Sequence, residues 1–333
     1  MRRALASLLL LSCALASADE HVRGVSLGLF SEDGGWSYAP LLDEVAALHA
    51  TDVALVVPLY QQDVESTTVG YHPRFSPPLS AIRRTIGEAR ARHLRVLLFP
   101  IVRLVETHGP NEWRGTLRAR DRAAWMASYG ARLLELANLA RVEHVDSLSI
   151  GSELSTMDVD HAAWAPLVEK VRIAFKGPLT YSGNWDHFEQ VTLYDLVDVA
   201  GVCAYFPLTD HDGAPLPTLD ALRVAWTDPA ARLAALSARV ERPIVVTELG
   251  YRSQPNALHE PYDEGAHVPV DALGLEAQRL GFASYTAAFS PRPSWLVGEY
   301  VWNWYGWGGA GSRSYTPRGK PAATVVERLL TRP

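Results

Sequence analysis

The chain has 333 residues, 48% of them hydrophobic and 20% charged, which excludes a disordered or fibrous protein. Its 31 basic and 37 acidic side chains leave a net charge of -6, so composition offers no basic face for nucleic acid or an anionic membrane surface. Length alone suggests about two domains, but a single α/β barrel of ~250 residues or more is one domain.

The chain opens like an export signal. Arg2 and Arg3 give a basic start, Ala4 to Leu15 is an apolar run too short to span a membrane, and Ala16-Ser17-Ala18 is a small-residue cleavage site. Residues 1–18 are therefore expected to be a signal peptide and 19–333 one catalytic domain, secreted or periplasmic, with no membrane span. Leu10-Leu11-Ser12-Cys13 resembles a lipobox with an imperfect second position, so a lipid anchor through Cys13 is the alternative. After cleavage at Ala18 only Cys203 remains, which excludes an internal disulfide and gives no basis for a cysteine metal site.

Eight apolar, β-branched runs follow: Arg23–Phe30, Asp52–Tyr60, Leu94–Arg103, Val145–Glu153, Pro178–Trp185, Leu196–Phe206, Pro243–Tyr251 and Leu296–Trp304. Continuous rather than alternating apolarity fits strands covered on both faces. Helical periodicity lies between them. Leu41, Leu42, Val45 and Leu48 follow the first run. Trp125, Tyr129, Leu133, Leu136 and Ala140 precede the fourth. Arg279, Leu280, Ala283 and Ala287 precede the eighth. Strand and helix alternating eight times predict an α/β fold, a single (β/α)8 TIM barrel. A doubly wound sheet would bring a glycine-rich phosphate turn after its first strand, whereas residues 31–36 read SEDGGW. The segments after strands are long and polar (61–78, 104–117, 207–217, 252–269 and 306–317), and those before strands are short. That asymmetry marks the C-terminal rim as the working face.

Two of the runs end on a glutamate: Ser149-Ile150-Gly151-Ser152-Glu153-Leu154 closes the fourth and Val245-Val246-Thr247-Glu248-Leu249-Gly250-Tyr251 the seventh. A lone buried carboxylate is costly, but two at strand mouths around one bowl can face each other across a substrate. Glycosidic cleavage needs such a pair, one protonated to assist the leaving oxygen and one ionised to attack or to activate water. A strand-end cap or a salt bridge to arginine is the ordinary alternative for either residue alone.

These motifs, with Tyr315-Thr316-Pro317-Arg318-Gly319-Lys320-Pro321-Ala322, resemble clan A glycoside hydrolases and, more narrowly, glycoside hydrolase family 113, whose known members are chiefly β-mannanases. The resemblance spans nearly all of the mature chain. It implies a retaining enzyme with Glu153 as acid/base and Glu248 as nucleophile, acting on a polysaccharide or oligosaccharide, with endo-β-1,4-mannan hydrolysis as the leading activity. Hydrolysis or transglycosylation of another β-linked glycan is the alternative, and a carbohydrate-binding pseudoenzyme is the alternative from outside the enzyme class. Many clan members carry Asn before the acid/base, on the sugar 2-hydroxyl; here that position is the shorter Ser152.

The resemblance further implies that Tyr205 hydrogen-bonds the nucleophile and that an eighth-strand aromatic, Trp302 or Trp304, lies under the sugar. Alternation along a strand puts both tryptophans on one face. Trp36 and Tyr38 after the first strand, and Asn184 and Trp185 at the end of the fifth, suit pyranose faces and hydroxyl edges. Packing is the competing role for each. Arg103 is a candidate cation for a catalytic carboxylate, and Lys320 is expected to be structural, starting the last helix. Glu153 is expected to carry the raised pKa, while Glu248 stays ionised. Neither a cofactor nor a metal is expected: the first strand lacks His-x-His, and His259 and His267 have no third ligand at a recognisable spacing. The protein is expected to be a monomer.

Overall fold

The computed structural model describes residues 21–263, 268–306 and 308–332. The signal-peptide and Cys13 expectations, and His267, lie outside them. Eight parallel strands close into a barrel in sequential order: β1 (Val22–Gly28), β2 (Asp52–Gln61), β3 (Arg95–Leu104), β4 (Ser147–Ser152), β5 (Leu179–Gly183), β6 (Val199–Cys203), β7 (Ile244–Leu249) and β8 (Leu296–Val301), with β8 pairing back onto β1. The fold is thus a (β/α)8 barrel.

Each strand is apolar throughout because its two faces meet different cores. On β2, Val53, Leu55, Val57 and Leu59 face the outer layer of helices, while Ala54 and Val56 face the barrel interior with Leu97, Phe99 and Ile101 of β3. That is a period of two with both phases apolar, which reads in sequence as a continuous run. Truncating an outer-layer leucine such as Leu55 to alanine is expected to cost about 2–5 kcal/mol. The base of the interior is closed by Tyr300, whose ring leaves no room for a Cβ at Gly24 (2.2 Å).

The helices are α1 (Ala39–Ala47), α2 (Leu79–Arg90), α3 (Arg122–Val142), α4 (His161–Ala174), α5 (Leu219–Ala225), α6 (Thr227–Val240), α7 (Ala272–Ala288) and α8 (Ala322–Leu330). Asp121, Asp160, Thr218 and Asp271 cap α3, α4, α5 and α7 by accepting a backbone N–H, each cap contributing ~1 kcal/mol. The β6–β7 connection holds two helices, α5 and α6. The β5–β6 connection holds only two 3-10 turns, Phe188–Gln190 and Tyr194–Leu196, so one of the seven strand-to-strand crossovers departs from the helical pattern. The buried face of α7 is built on Ala277, Leu280, Gly281, Ser284 and Tyr285. Of the stripe read from sequence, only Leu280 belongs to it, because small and polar residues carry the contact.

Five non-glycine residues among those described have positive φ: His49, His93, His144, Glu153 and Glu241. Four of them end helices α1, α2, α3 and α6, where the left-handed conformation terminates the hydrogen-bond ladder. Glu153 (φ 54°) is the exception, sitting at the C-terminal end of β4. Strained backbone of this kind collects at functional sites.

Candidate active site

The C-terminal rim encloses a cleft of about 1040 Å³. Its floor holds Glu153, Tyr205, Glu248, Trp302 and Tyr315. One wall is the loop after β3, with Pro110, Asn111, Trp113, Arg114 and Thr116. The other joins Asn184, Trp185 and Asp186 after β5 to Glu260, Tyr262 and Asp263 after β7. Long loops after strands thus build the cleft.

Glu153 follows directly on β4, with its backbone N–H donating to Ser182 O (2.8 Å). Glu248 is the penultimate residue of β7. Both are almost fully buried, and their nearest carboxylate oxygens lie within 4.8 Å of one another and of Cys203 Sγ. Tyr205 Oη donates to Glu248 Oε2 (2.8 Å), while Glu248 Oε1 is buried with no hydrogen-bond partner. Arg114 Nη2 pairs with Glu153 Oε2. Two negative charges at this range repel by ~3 kcal/mol at an effective dielectric of about 20, so holding both ionised is unfavourable. Burial, and then the charge of Glu153, push the Glu248 carboxyl up to about 8; Arg114 and Tyr205 work against them. The ligand-free site therefore keeps its shared proton toward Glu248, opposite Glu153 in its ion pair. The expectation that Glu248 stays ionised is not met in this ligand-free state, because its carboxyl is buried and the cation pairs with Glu153 instead.

Cys203, at the end of β6, sits beneath the pair against Ser182 Oγ (3.1 Å) and Ser152 Oγ (3.8 Å). Burial and both glutamates push its thiol pKa well up, so it stays protonated.

Of the residues expected to bind substrate, Asn184, Trp185, Tyr205 and Trp302 line the cleft, and five others do not. Trp304 is turned away from the cleft: β8 ends at Val301, so strand alternation does not carry Trp304 to the face of Trp302. Its ring packs in the outer core, and Nε1 donates to Glu44 Oε2 of α1 (2.8 Å). Tyr38 stands just before α1 and packs in the outer core, its hydroxyl accepting from Ser31 N (3.0 Å). Trp36 is 43% exposed on the β1–α1 loop, away from the cleft. Arg103 lies over the Phe30 ring (5.6 Å), and the cation at the carboxylates is Arg114 instead. Ser152 points below the floor to Cys203.

Arg114, Trp113, Asp186, Tyr262 and Tyr315 escaped sequence reasoning. Arg114 and Trp113 sit on or beside a 3-10 turn about ten residues beyond β3, where no periodicity marks direction. Tyr315 belongs to the C-terminal motif, which was the available signal. Its hydroxyl donates to Pro261 O (2.8 Å), and its carbonyl accepts from Gln278 Nε2 (3.0 Å). Lys320 Nζ donates to Ser314 O (2.9 Å), just before α8, and burial lowers its pKa to about 7. The same motif supplies Arg318, which pairs with Glu44 through Nε and Nη2 and donates through Nη1 to Gly306 O.

Comparison with known proteins agrees with this fold. The β-mannanase AaManA of family GH113 from Alicyclobacillus acidocaldarius, solved in complex with ManMIm, superposes with a TM-score of 0.82 at 23% identity, covering 95% of this chain and 99% of that one. A GH113 β-1,4-mannanase matches with a TM-score of 0.81 at 19% identity, over 94% of this chain and 100% of that one. No curated protein sequence matches. The model of Glycoside Hydrolase Family 113 matches residues 25–307, from the first strand to past the eighth. The chain belongs to glycoside hydrolase family 113 and is an enzyme that hydrolyses O-glycosyl bonds.

Proposed function

We propose that the protein is an exported, retaining endo-β-1,4-mannanase in which Glu248 is the nucleophile and Glu153 the acid/base. The observation that carries the mechanism is the separation of the two carboxylates, within 4.8 Å at their nearest oxygens. Double displacement works at about 5–5.5 Å between carboxyl groups, whereas inversion needs roughly 6.5–9.5 Å to admit a water.

In the first step Glu248 Oε1, the oxygen with no hydrogen bond, attacks the anomeric carbon while Tyr205 holds Oε2. The glycosidic oxygen leaves with the proton of Glu153. In the second step Glu153 takes a proton from water, which displaces Glu248 and restores the configuration. The proton must first move from the Glu248 side of the pair to Glu153. A substrate that draws Arg114 off Glu153 drives that exchange, since the two carboxylates titrate as one unit. Trp302 on the floor and Asn184 on the wall are proposed sugar contacts.

Mannan is favoured as substrate because the similar structures are described as β-mannanases. The test is activity on mannan, glucomannan, xylan and β-glucan, with chromatography of products and proton NMR of the first product formed. Preference for xylan or β-glucan would overturn the mannan assignment, and early inverted product would overturn the mechanism. Export is supported by the Arg2-Arg3 start, the apolar run and Ala16-Ser17-Ala18. Its test is the N-terminal sequence of the secreted protein, expected to begin at Asp19; acylated Cys13 would replace cleavage with an anchor. Light scattering is expected to give a monomer.

A further inference from the structure

Cys203 takes no part in the two-carboxylate chemistry, yet the fold sets it directly against the catalytic pair. Its Sγ and one carboxylate oxygen each of Glu153 and Glu248 lie within 4.8 Å of one another, and all three residues are almost fully buried. They stand at the ends of β4, β6 and β7, so the triangle is built on the rigid part of the barrel. Sequence spacing hides it, because the three residues meet only when the barrel closes.

Two carboxylate oxygens and a sulfur make a ligand set for a borderline-soft divalent cation of the zinc class. Zinc holds sulfur at about 2.3 Å and oxygen at about 2.0–2.2 Å, which sets tetrahedral ligands roughly 3.4–3.6 Å apart, so side-chain shifts of about 1 Å close the triangle onto an ion. Glu248 adds an unmet demand. Tyr205 donates to its Oε2, which leaves Oε1 buried with no hydrogen-bond partner, and a cation would satisfy that oxygen. The sulfur has its own support: Ser182 Oγ stands 3.1 Å from Sγ and Ser152 Oγ 3.8 Å, hydroxyls able to donate to a thiolate from outside the coordination sphere. Both glutamates line the cleft, so an ion reaches them from solvent and water can fill the fourth position.

We propose that Glu153, Cys203 and Glu248 form an inhibitory site for a thiophilic divalent cation such as Zn²⁺, which competes with the glycan for the catalytic carboxylates. The ion displaces the thiol proton and the proton shared by the carboxylates; both go to solvent, and no electron moves. With both glutamates on the metal, neither attack nor proton donation is available, so occupancy stops the reaction. Arg114, on Glu153 Oε2, is the cation that the metal must outcompete. The inhibition rests on the proposed catalytic roles of the glutamates, whereas the binding does not.

The test uses the mature enzyme, in which Cys203 is the only thiol, with CdCl2, ZnCl2 and MgCl2 as probes. Cd²⁺ without substrate is expected to give an ultraviolet thiolate-to-metal charge-transfer band in wild type and none in Cys203→Ser. Zn²⁺ is expected to displace Cd²⁺ from the band and to inhibit competitively on whichever β-glycan wild type cuts; Mg²⁺, a hard cation that avoids sulfur, does neither. Cys203→Ser is expected to raise the zinc Ki at least about tenfold, since disturbing even an outer partner of a metal site costs that much. Should that variant not fold, wild type decides by itself: equal Cd²⁺ midpoints for band and inhibition support the site, and inhibition without a band overturns it. An unchanged Ki in Cys203→Ser, or a band whose midpoint ignores Glu248→Gln, also overturns it. If Glu248→Gln weakens the band while Zn²⁺ leaves wild-type turnover intact, the ion binds here and the catalytic roles fail instead.

Discussion

The two ends of the barrel treat a buried carboxylate in opposite ways. At the N-terminal end Asp52 is held on both oxygens by Arg95, through Nε (2.9 Å) and Nη2 (2.7 Å), and also accepts from Thr51 Oγ1 (2.6 Å). It borders a cavity of only about 210 Å³. At the C-terminal end Glu248 has one oxygen on Tyr205 and one with no partner, at the foot of a cleft about five times larger. Both carboxyls are raised by burial. The difference lies in satisfaction: the lower one is held on both oxygens by a bidentate cation, whereas the upper one keeps an unmade bond and a shared proton. A buried polar group left unsatisfied costs about 1–3 kcal/mol or more, which a fold retains where chemistry depends on it.

The sharpest way to break this comparison is to remove the upper carboxylates. Glu248→Ala is expected to lower kcat roughly 10⁴-fold or more, with azide restoring turnover and giving a glycosyl azide of configuration opposite to the substrate linkage. Glu153→Ala is expected to spare the first step on substrates with good leaving groups and to lose about 10²–10⁴-fold on natural glycan. Equal losses for both variants on both substrate types would reverse or void these roles.

The lower end should respond in stability instead. Arg95→Met leaves Asp52 buried without its cation and is expected to cost roughly 2–3 kcal/mol, less than a fully buried pair because Arg95 is partly exposed. Urea denaturation measures the loss, and kcat/KM per folded molecule should hold. A variant of full stability but reduced activity would mean that the two ends are coupled.

Arg114 tests the upper end from its rim. Its charge lowers the Glu248 pKa, so Arg114→Met should push that pKa above about 8; because the pair is active with one proton, the alkaline limb of kcat/KM should move to higher pH. Each unit of movement raises activity on that limb about tenfold. A limb that stays put, or moves to lower pH, rules out Arg114 as the balancing cation.

Glu248→Gln tests the same carboxyl through stability rather than rate. Glu248 titrates near 4.5 when unfolded and about 8 when folded, so between these values the unfolded chain has lost a proton that the folded one keeps. Wild-type stability therefore falls as pH rises through that window. The glutamine variant escapes this and should melt higher at neutral pH, by roughly 2–4 °C per kcal/mol recovered, with its advantage fading toward pH 4.5. A constant difference across pH would show that Glu248 is not the group that holds the proton.

The barrel is legible in the sequence because its strands bury both phases of their alternation, as β2 does with Leu55 turned outward and Val56 inward. The glutamates are legible because each stands at the end of such a run. Direction beyond the strand ends is not. Trp302 and Trp304 share a face only if β8 continues through them, and it stops at Val301. Tyr38 reads as a rim aromatic, yet it immediately precedes α1 and belongs to that helix's packing. Arg114 carries no signal at all, since a loop side chain meets Glu153 only through the closure of the whole wall.

Trp304, displaced from the role expected of it, has another. With Arg318 it grips Glu44 on the outside of the barrel, and Arg318 also reaches Gly306 O on the chain leaving β8. The segment between them carries Tyr315 to the floor, while Trp302 enters just upstream. The floor of the cleft is thus riveted through the barrel wall to a surface helix. Exchanging Glu44, a residue that never meets a sugar, would loosen the surface on which the sugar lies, so directed evolution of this enzyme has a handle on substrate fit from the far side of the wall.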